Sequence, residues 1–175
     1  MILIVKEESI IIGVDILPQT SPSRKNYFAV CVYDVKQDKV LMEFNRVNIH
    51  KLLGITTSSK AHLLATDNIY ELVLSPSQIP FLCTRLLPVT KLVQVTGSPI
   101  HGFTPLSKLI RDHGMKISGK LTPLNAAKAC AFLASKKLGY IIEPFEDETR
   151  IIVSRTRSKG AGGWSQARYS RLMDT

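Results

Sequence analysis

The sequence predicts an α/β fold: a mixed, five-stranded sheet flanked by helices, with a C-terminal hairpin and a basic tail added to it. Short apolar segments of strand length alternate along the chain with longer segments of helical periodicity. The first three apolar segments follow one another closely, which is typical of an antiparallel meander. We expect residues 1–139 to form the core, and residues 140–175 to form the hairpin and basic segment of the same domain.

Three strands are predicted before the first helix. Residues 10–17, IIIGVDIL, are apolar on both faces, which indicates a buried strand at the centre of the sheet. After a polar loop, YFAVCVYDV (27–35) and VLMEFNRV (40–47) are predicted as the second and third strands, with a tight turn between them. A fourth strand, HLLAT (62–66), can return beside the first through a right-handed crossover.

Helical segments are predicted between the later strands. Asn48 is suited to cap a short helix that follows it. Residues 68–87 are expected to be helical but broken near Pro76 and Pro80, because proline removes a backbone hydrogen bond. The fifth strand is predicted over residues 91–97.

The remainder of the chain predicts two helices and a hairpin. PLSKLIRDHG (105–114) has the pattern of a short helix that ends before its glycine. The most regular helix follows Thr122, with Pro123 at its first position and Gly139 as its stop. Residues 140–155 then have two apolar runs around an acidic turn, which indicates a hairpin.

The composition restricts the classes of protein to which the chain can belong. Its 175 residues are 45% hydrophobic, enough for one globular core. No apolar run reaches the roughly 18 residues of a membrane span, and the N-terminal apolar segment lacks the pattern of a signal peptide. The three cysteines include no CxxC motif, so we expect neither a disulfide framework nor structural zinc, and we expect a cytoplasmic protein.

Positive charge is concentrated near the C-terminus. The net charge is +9, and residues 149–173 contain six basic residues and no acidic residue. Such a segment predicts a nucleic-acid partner, DNA or RNA, because cations neutralise phosphates and aromatic rings stack on unpaired bases. The alternative is a solubilising tail whose aromatic residues pack on the sheet. The predicted nucleic-acid-binding residues are Arg150, Arg155, Arg157, Lys159, Trp164, Arg168, Tyr169 and Arg171.

Two carboxylates stand at the ends of buried strands. Asp15 lies near the end of the first predicted strand and Asp67 follows the fourth. If these strands are parallel neighbours, both side chains reach the edge of the sheet where α/β proteins bind ligands. Converging carboxylates form the hard, oxygen-rich site that Mg²⁺ or Mn²⁺ prefers. Taken singly, Asp15 is equally suited to start a loop and Asp67 to cap the next helix.

These residues carry a resemblance to a known group of proteins. The matching segments span residues 11–171 and are, in order, IIGVDILPQTSPS, ATDNIYEL, LVQVTG, GKLTPLNAAKACAFLA, FEDETRIIVSRTRS and GGWSQARYSR. With GVD on the first strand and TDN after the fourth, the chain resembles the ribonuclease H-like superfamily. More closely, it resembles an uncharacterised archaeal family grouped with RuvC/YqgF-type nucleases. The resemblance implies a ribonuclease H-like fold and a metal-dependent, resolvase-like nuclease, a class that often acts as a homodimer.

One feature of that superfamily is missing. Its nucleases usually place further carboxylates on the late helix, whereas the predicted helix over residues 123–138 contains no acidic residue. Glu71, one turn after Asp67, can approach the site, although the alternative for Glu71 is an exposed helix face. Asp34 and the acidic turn at residues 146–148 are further candidates.

The sequence leaves two main functions open. The first is a nucleic-acid-binding nuclease that uses Mg²⁺ or Mn²⁺, with Asp15, Asp67 and Glu71 as catalytic residues and Asp15 and Asp67 as metal ligands. The alternative is a catalytically inactive ribonuclease H-like module that binds nucleic acid, which the acid-free late helix favours. Actin-like phosphotransferases share the strand order, but that class needs two such domains and a glycine in its phosphate-binding turn.

Overall fold

The fold is described from a computed structural model of the chain. The described residues are 9–18, 26–86, 88–98, 102–117, 119–144, 150–155 and 168–171. They form one mixed, eight-stranded sheet and a separate two-stranded ribbon, and helices pack on both faces of the large sheet. The α/β class predicted from the sequence is therefore confirmed.

The first four strands have the predicted arrangement. β1 (Ile10–Ile16), β2 (Phe28–Asp34) and β3 (Lys39–Val47) form an antiparallel meander. β4 (Leu63–Thr66) returns parallel to β1 on its other side. β1 thus lies inside the sheet, as its continuous apolar sequence predicts.

The next strands include a ribbon that the sequence did not predict. β5 (Lys91–Gln94) is parallel to β4 and completes the five predicted strands. Directly after it, β6 (Gly97–Ser98) and β7 (Gly102–Phe103) pair in antiparallel sense. Each has only two residues, which is too short for an alternating pattern to show in the sequence.

The C-terminal strands extend the same sheet. β8 (Tyr140–Pro144) pairs with β5, β9 (Arg150–Arg155) pairs with β8, and β10 (Arg168–Arg171) pairs with β9, all antiparallel. The strand order is β10-β9-β8-β5-β4-β1-β2-β3. The prediction of five strands was wrong because the hairpin fills the open edge of β5, and part of the basic segment adds a further strand.

One face of the sheet is covered by α1 (Ile49–Ser58) and α2 (Ile79–Leu86). As predicted, Asn48 caps α1, since its side chain accepts a hydrogen bond from the Lys51 amide at 2.8 Å. Pro80 does not break α2, because it lies in the first turn of the helix, where a missing N–H costs little.

The first half of the helical segment predicted over residues 68–87 is instead two short 3-10 turns. They span Ile69–Leu72 and Pro76–Gln78, and an extended residue, Val73, follows the first. The first turn lies directly after β4, so it determines the path of the chain at the edge of the sheet where β4 ends.

The opposite face is covered by α3 (Leu106–Asp112) and α4 (Pro123–Ser135). Thr122 caps α4 as predicted. A Cβ on Gly13 of β1 would lie 1.9 Å from the carbonyl oxygen of Ala127, so glycine lets the α4 backbone rest directly on the strand. No helix in the described part of the chain is long and apolar enough to cross a membrane.

Each face of the sheet has its own apolar core. Alternate residues of a strand point to opposite faces, so Ile12 and Val14 pack beneath α1 and α2, and Ile11 packs beneath α4. By the same alternation, Asp15 is directed to the face that α4 covers.

Candidate metal centre

The register of two parallel strands brings the two predicted aspartates together. Val14 of β1 lies beside Thr66 of β4. Asp15 is the next residue of β1 and Asp67 directly follows β4, so the two aspartates stand at the same edge of the sheet. The prediction that these strands are parallel neighbours is confirmed, and the two carboxylates converge.

A third acid comes from the 3-10 turn after β4. Asn68 caps this turn by accepting a hydrogen bond from the Tyr70 amide at 3.0 Å. The capping role that the sequence offered as an alternative for Asp67 therefore belongs to Asn68. The turn places Glu71 half-buried beside Asp67, and not on an exposed helix face.

Polar side chains at the end of β5 fix the position of this turn. Gln94 is fully buried and accepts a hydrogen bond from the Ile69 amide at 2.8 Å. The Thr96 hydroxyl donates to the carbonyl oxygen of Asp67 at 2.5 Å. Sequence reasoning missed both residues. The sequence did contain a signal, since both residues are polar and stand in an otherwise apolar strand segment. Buried polar groups need hydrogen-bond partners, so such residues are candidates for positioning a neighbouring segment.

The three carboxylates form a compact acidic cluster. One carboxylate oxygen from each of Asp15, Asp67 and Glu71 lies within 4.8 Å of the other two. Oδ1 of Asp67 and Oε1 of Glu71 are buried, and neither accepts a hydrogen bond from any described residue. The ion pairs of the described residues do not include the cluster. Buried oxygens without partners are costly, so this arrangement is suited to a bound cation.

Burial and mutual repulsion disfavour ionisation of two of these acids. Burial, followed by the charge of Asp67 and a hydrogen bond with it, raises the pKa of Asp15 from 3.8 to about 7. Burial, followed by the charges of Asp67 and Asp15, raises the pKa of Glu71 from 4.5 to about 8. A divalent cation would offset this repulsion and favour the ionised carboxylates, so the donor set fits Mg²⁺ or Mn²⁺.

α4 lies close to the cluster but adds no carboxylate to it. Burial, followed by the charges of Asp67, Asp15 and Glu71, raises the pKa of the Cys130 thiol on this helix well above its ordinary value. The helix contains no Asp or Glu. Three carboxylates are enough to hold one cation, but they are a sparse donor set for two.

The other predicted site residues that belong to the described part of the chain lie on elements away from the cluster. Asp34 ends β2 beside Ile10, at the opposite end of β1. The described strands β9 and β10 contain Arg150, Arg155, Arg168, Tyr169 and Arg171. From the usual strand spacing, β9 is about 14 Å and β10 about 19 Å from β4. Outside the described residues lie Arg157, Lys159, Trp164 and the acidic turn at residues 146–148.

Comparison with known proteins identifies no relative of this chain. No protein-family model matches the sequence, and no curated protein or solved structure matches it. The function therefore has to be inferred from the site itself.

Proposed function

We propose that the chain is a divalent-metal-dependent nuclease in which Asp15, Asp67 and Glu71 hold one Mg²⁺ or Mn²⁺ ion. The observation that carries the proposal is the cluster of three carboxylates within 4.8 Å, two of whose oxygens are buried without a partner among the described residues. Acids that served only the fold would be paired with cations or with amides.

The strand arrangement supports a ribonuclease H-like fold. The β1–β3 meander, the return of β4 beside β1 and the acids at the ends of β1 and β4 are the features on which the resemblance rests. A fold can host many activities, so the nuclease proposal depends on the acidic cluster and not on the fold.

The protein positions its carboxylates before an ion binds. Asp15 follows the register of paired strands, and Glu71 belongs to a turn that is hydrogen-bonded to Gln94. When bound, the ion would neutralise charge on the attacked phosphate and lower the pKa of a coordinated water. Without an ion, ionised carboxylates would repel a phosphodiester, so these residues favour a reaction that depends on metal.

Nucleic acid is the substrate class that fits the charge of the chain best. The net charge is +9, and the arginine-containing strands β9 and β10 belong to the same sheet as the metal centre. A polyanionic strand is long enough to contact both, because they are about 14–19 Å apart.

The proposal extends to assembly and location. A homodimer, with two metal centres on one symmetric branched substrate, is the assembly that a resolvase-like activity requires. A cytoplasmic location accords with the cysteines, because all three are buried and unpaired: Cys31, Cys83 and Cys130.

A nucleic-acid-binding module without turnover is the second candidate function. The observation that favours it is α4, which packs on β1 yet supplies no carboxylate. A single ion would then organise the bound strand without supporting cleavage. The two candidates share their partner and differ only in whether a phosphodiester bond is broken.

A cleavage panel separates the two candidates. Branched DNA, single-stranded DNA, duplex DNA and RNA are incubated with Mg²⁺, with Mn²⁺ or with EDTA. We expect metal-dependent cleavage of at least one substrate, and its loss in Asp15→Asn. Asp34→Asn is the matched control, because it makes the same change in a buried acid at the other end of the sheet.

The outcomes of this panel are distinct. Cleavage that persists in Asp15→Asn would contradict the nuclease proposal at this site. If no substrate is cleaved while salt-sensitive binding remains, the chain is a binding module.

A further inference from the structure

A cleft of about 590 Å³ opens on the face of the sheet that α1 and α2 cover. Its volume is typical of sites that bind small organic groups. Its walls come from the start of β2, the start of α1, the segment after the first 3-10 turn, and α2. The sequence shows no sign of this cleft, because its residues are spread over about a third of the chain.

Aromatic and apolar side chains are left exposed in this cleft. Phe81 on α2 is 56% exposed, and Leu74 is 71% exposed. The Tyr27 ring lies beneath the Arg46 guanidinium, with 3.9 Å between Cζ and the ring centroid. Large apolar groups that remain exposed together are characteristic of a binding surface.

The cleft is also cationic. Arg85 lines it, Arg46 lies over one of its rings, and none of the described residues in its walls is acidic. The start of α1, including His50, contributes a wall, and helix N-termini attract anions. Rings combined with cations suit a nucleotide, whose base stacks and whose phosphate is neutralised, better than an uncharged apolar peptide.

The cleft shares two chain segments with the metal centre. Phe28 in one wall pairs with the residue that follows Asp15. Leu72 in another wall directly follows Glu71, whose carbonyl oxygen accepts a hydrogen bond from the Asn26 side chain at 3.3 Å. Asp15 is directed to the opposite face of the sheet from the cleft, so a nucleic-acid strand would reach the acidic cluster from the cleft by passing the carboxyl end of β1.

We propose that this cleft holds an unpaired base of a nucleic-acid strand whose backbone continues past the carboxyl end of β1 to the metal centre. The inference deepens the nuclease proposal and rests on it for the identity of the partner. A base within a duplex is stacked between its neighbours and cannot reach Phe81, so the substrate needs a single-stranded segment, a bulge or a branch. Because every base has a flat face, the selection is for unpaired structure and not for sequence.

Binding measured in EDTA tests the cleft without cleavage. A fluorescent single strand, and the same strand annealed to its complement, are titrated with protein and followed by anisotropy. We expect Phe81→Ala to weaken single-strand binding about tenfold and duplex binding by less than about twofold. Met42→Ala is the matched control, because Met42 on β3 is 53% exposed but does not line the cleft.

A second pair of variants tests the charge of the cleft. Arg85→Ala is expected to weaken single-strand binding. It should also make the slope of log binding constant against log salt concentration shallower by about one. Arg111→Ala removes the same charge from α3, on the opposite face of the sheet, and should leave the preference for single strands unchanged.

The proposal is overturned if Phe81→Ala binds like Met42→Ala, if single strand and duplex lose affinity equally, or if the wild type binds neither. Phe81→Leu, which keeps an apolar side chain but lacks the ring, replaces Phe81→Ala if the latter does not fold. If cleavage depends on metal but is unchanged in the Phe81 variant, the cleft proposal is wrong and the nuclease proposal stands. Single-strand binding that needs Phe81, without cleavage under any metal, would remove the nuclease proposal alone.

Discussion

The two ends of β1 place acidic side chains in opposite situations. At the amino end, Asp34 is buried and accepts hydrogen bonds from the amides of Lys36 and Gln37 at 2.9 and 3.3 Å, which closes the turn after β2. At the carboxyl end, Asp67 and Glu71 each keep a buried oxygen without a partner among the described residues. The chain gives one buried acid two amide donors and leaves buried oxygens of the acidic cluster without a partner among the described residues, so the cluster is the place where a ligand belongs.

The largest expected effect contrasts one acid from each end. We expect Asp67→Asn to lower the affinity for Mn²⁺ about 100-fold or more, because it removes a charged ligand, whereas Asp34→Asn should leave the affinity unchanged. Titration followed by electron paramagnetic resonance measures both. Equal Mn²⁺ affinities in the two variants would show that Asp67 contributes no more to metal binding than Asp34 does.

The next effect concerns the contact between α4 and the strand that carries Asp15. Gly13→Ala places a Cβ 1.9 Å from the Ala127 carbonyl oxygen and should lower the free energy of unfolding by about 1–3 kcal/mol. Gly54→Ala in α1 has nothing within 4 Å of its Cβ and should instead stabilise by about 0.5–1 kcal/mol. Urea unfolding of both variants tests this. A neutral Gly13→Ala would mean that α4 does not rest on β1.

A smaller effect is expected from the residue that positions Glu71. Gln94→Met removes the acceptor of the Ile69 amide while keeping similar volume, and should lower Mn²⁺ affinity about tenfold. Gln37→Met, in the exposed turn beside Asp34, is the control at the other end of β1. A loss of stability in Gln94→Met without a loss of Mn²⁺ affinity would limit Gln94 to a structural role.

The smallest effect is the pH dependence of stability. Asp15 and Glu71 have pKa values of about 7 and about 8 in the folded chain, above their ordinary 3.8 and 4.5. At pH values between the ordinary and the folded-state pKa, the folded state binds more protons than the unfolded state. The free energy of unfolding therefore falls as the pH rises from about 4 to 8. Solvent screens both partly exposed carboxyls, so we expect the melting temperature in EDTA to fall by only a few degrees.

Two controls isolate this pH dependence. Mg²⁺ should restore stability at pH 8, because a cation stabilises the ionised carboxylates. Asp15→Asn should flatten the pH profile in EDTA, whereas Asp34→Asn should keep the slope of the wild type. A wild-type slope in Asp15→Asn would show that the cluster is not the source of the effect.

Local patterns were sufficient to predict much of the fold. The meander, the caps Asn48 and Thr122, and the parallel pairing of β1 with β4 follow from alternation, capping chemistry and crossover handedness. Because parallel neighbours end at the same edge, the meeting of Asp15 and Asp67 was predictable as well. These features depend on residues close in sequence or on rules of chain connection.

Features that depend on distant contacts were not predictable. The turn that directs Glu71 inward is held by Gln94, which is 25 residues later in the chain. The hairpin of β8 and β9 was predicted, but its addition to the sheet depends on the open edge of β5, and no local pattern predicted β10. The cleft likewise combines Tyr27 with Phe81, whose proximity is a product of the tertiary fold.

The most direct test of the proposed metal centre is a crystal structure of the protein soaked in Mn²⁺, with anomalous scattering used to locate the ion. We predict one anomalous peak, bound by carboxylate oxygens of Asp15, Asp67 and Glu71, and no peak beside Asp34. No peak between the three acids at saturating Mn²⁺ would contradict the metal centre and, with it, the proposed nuclease.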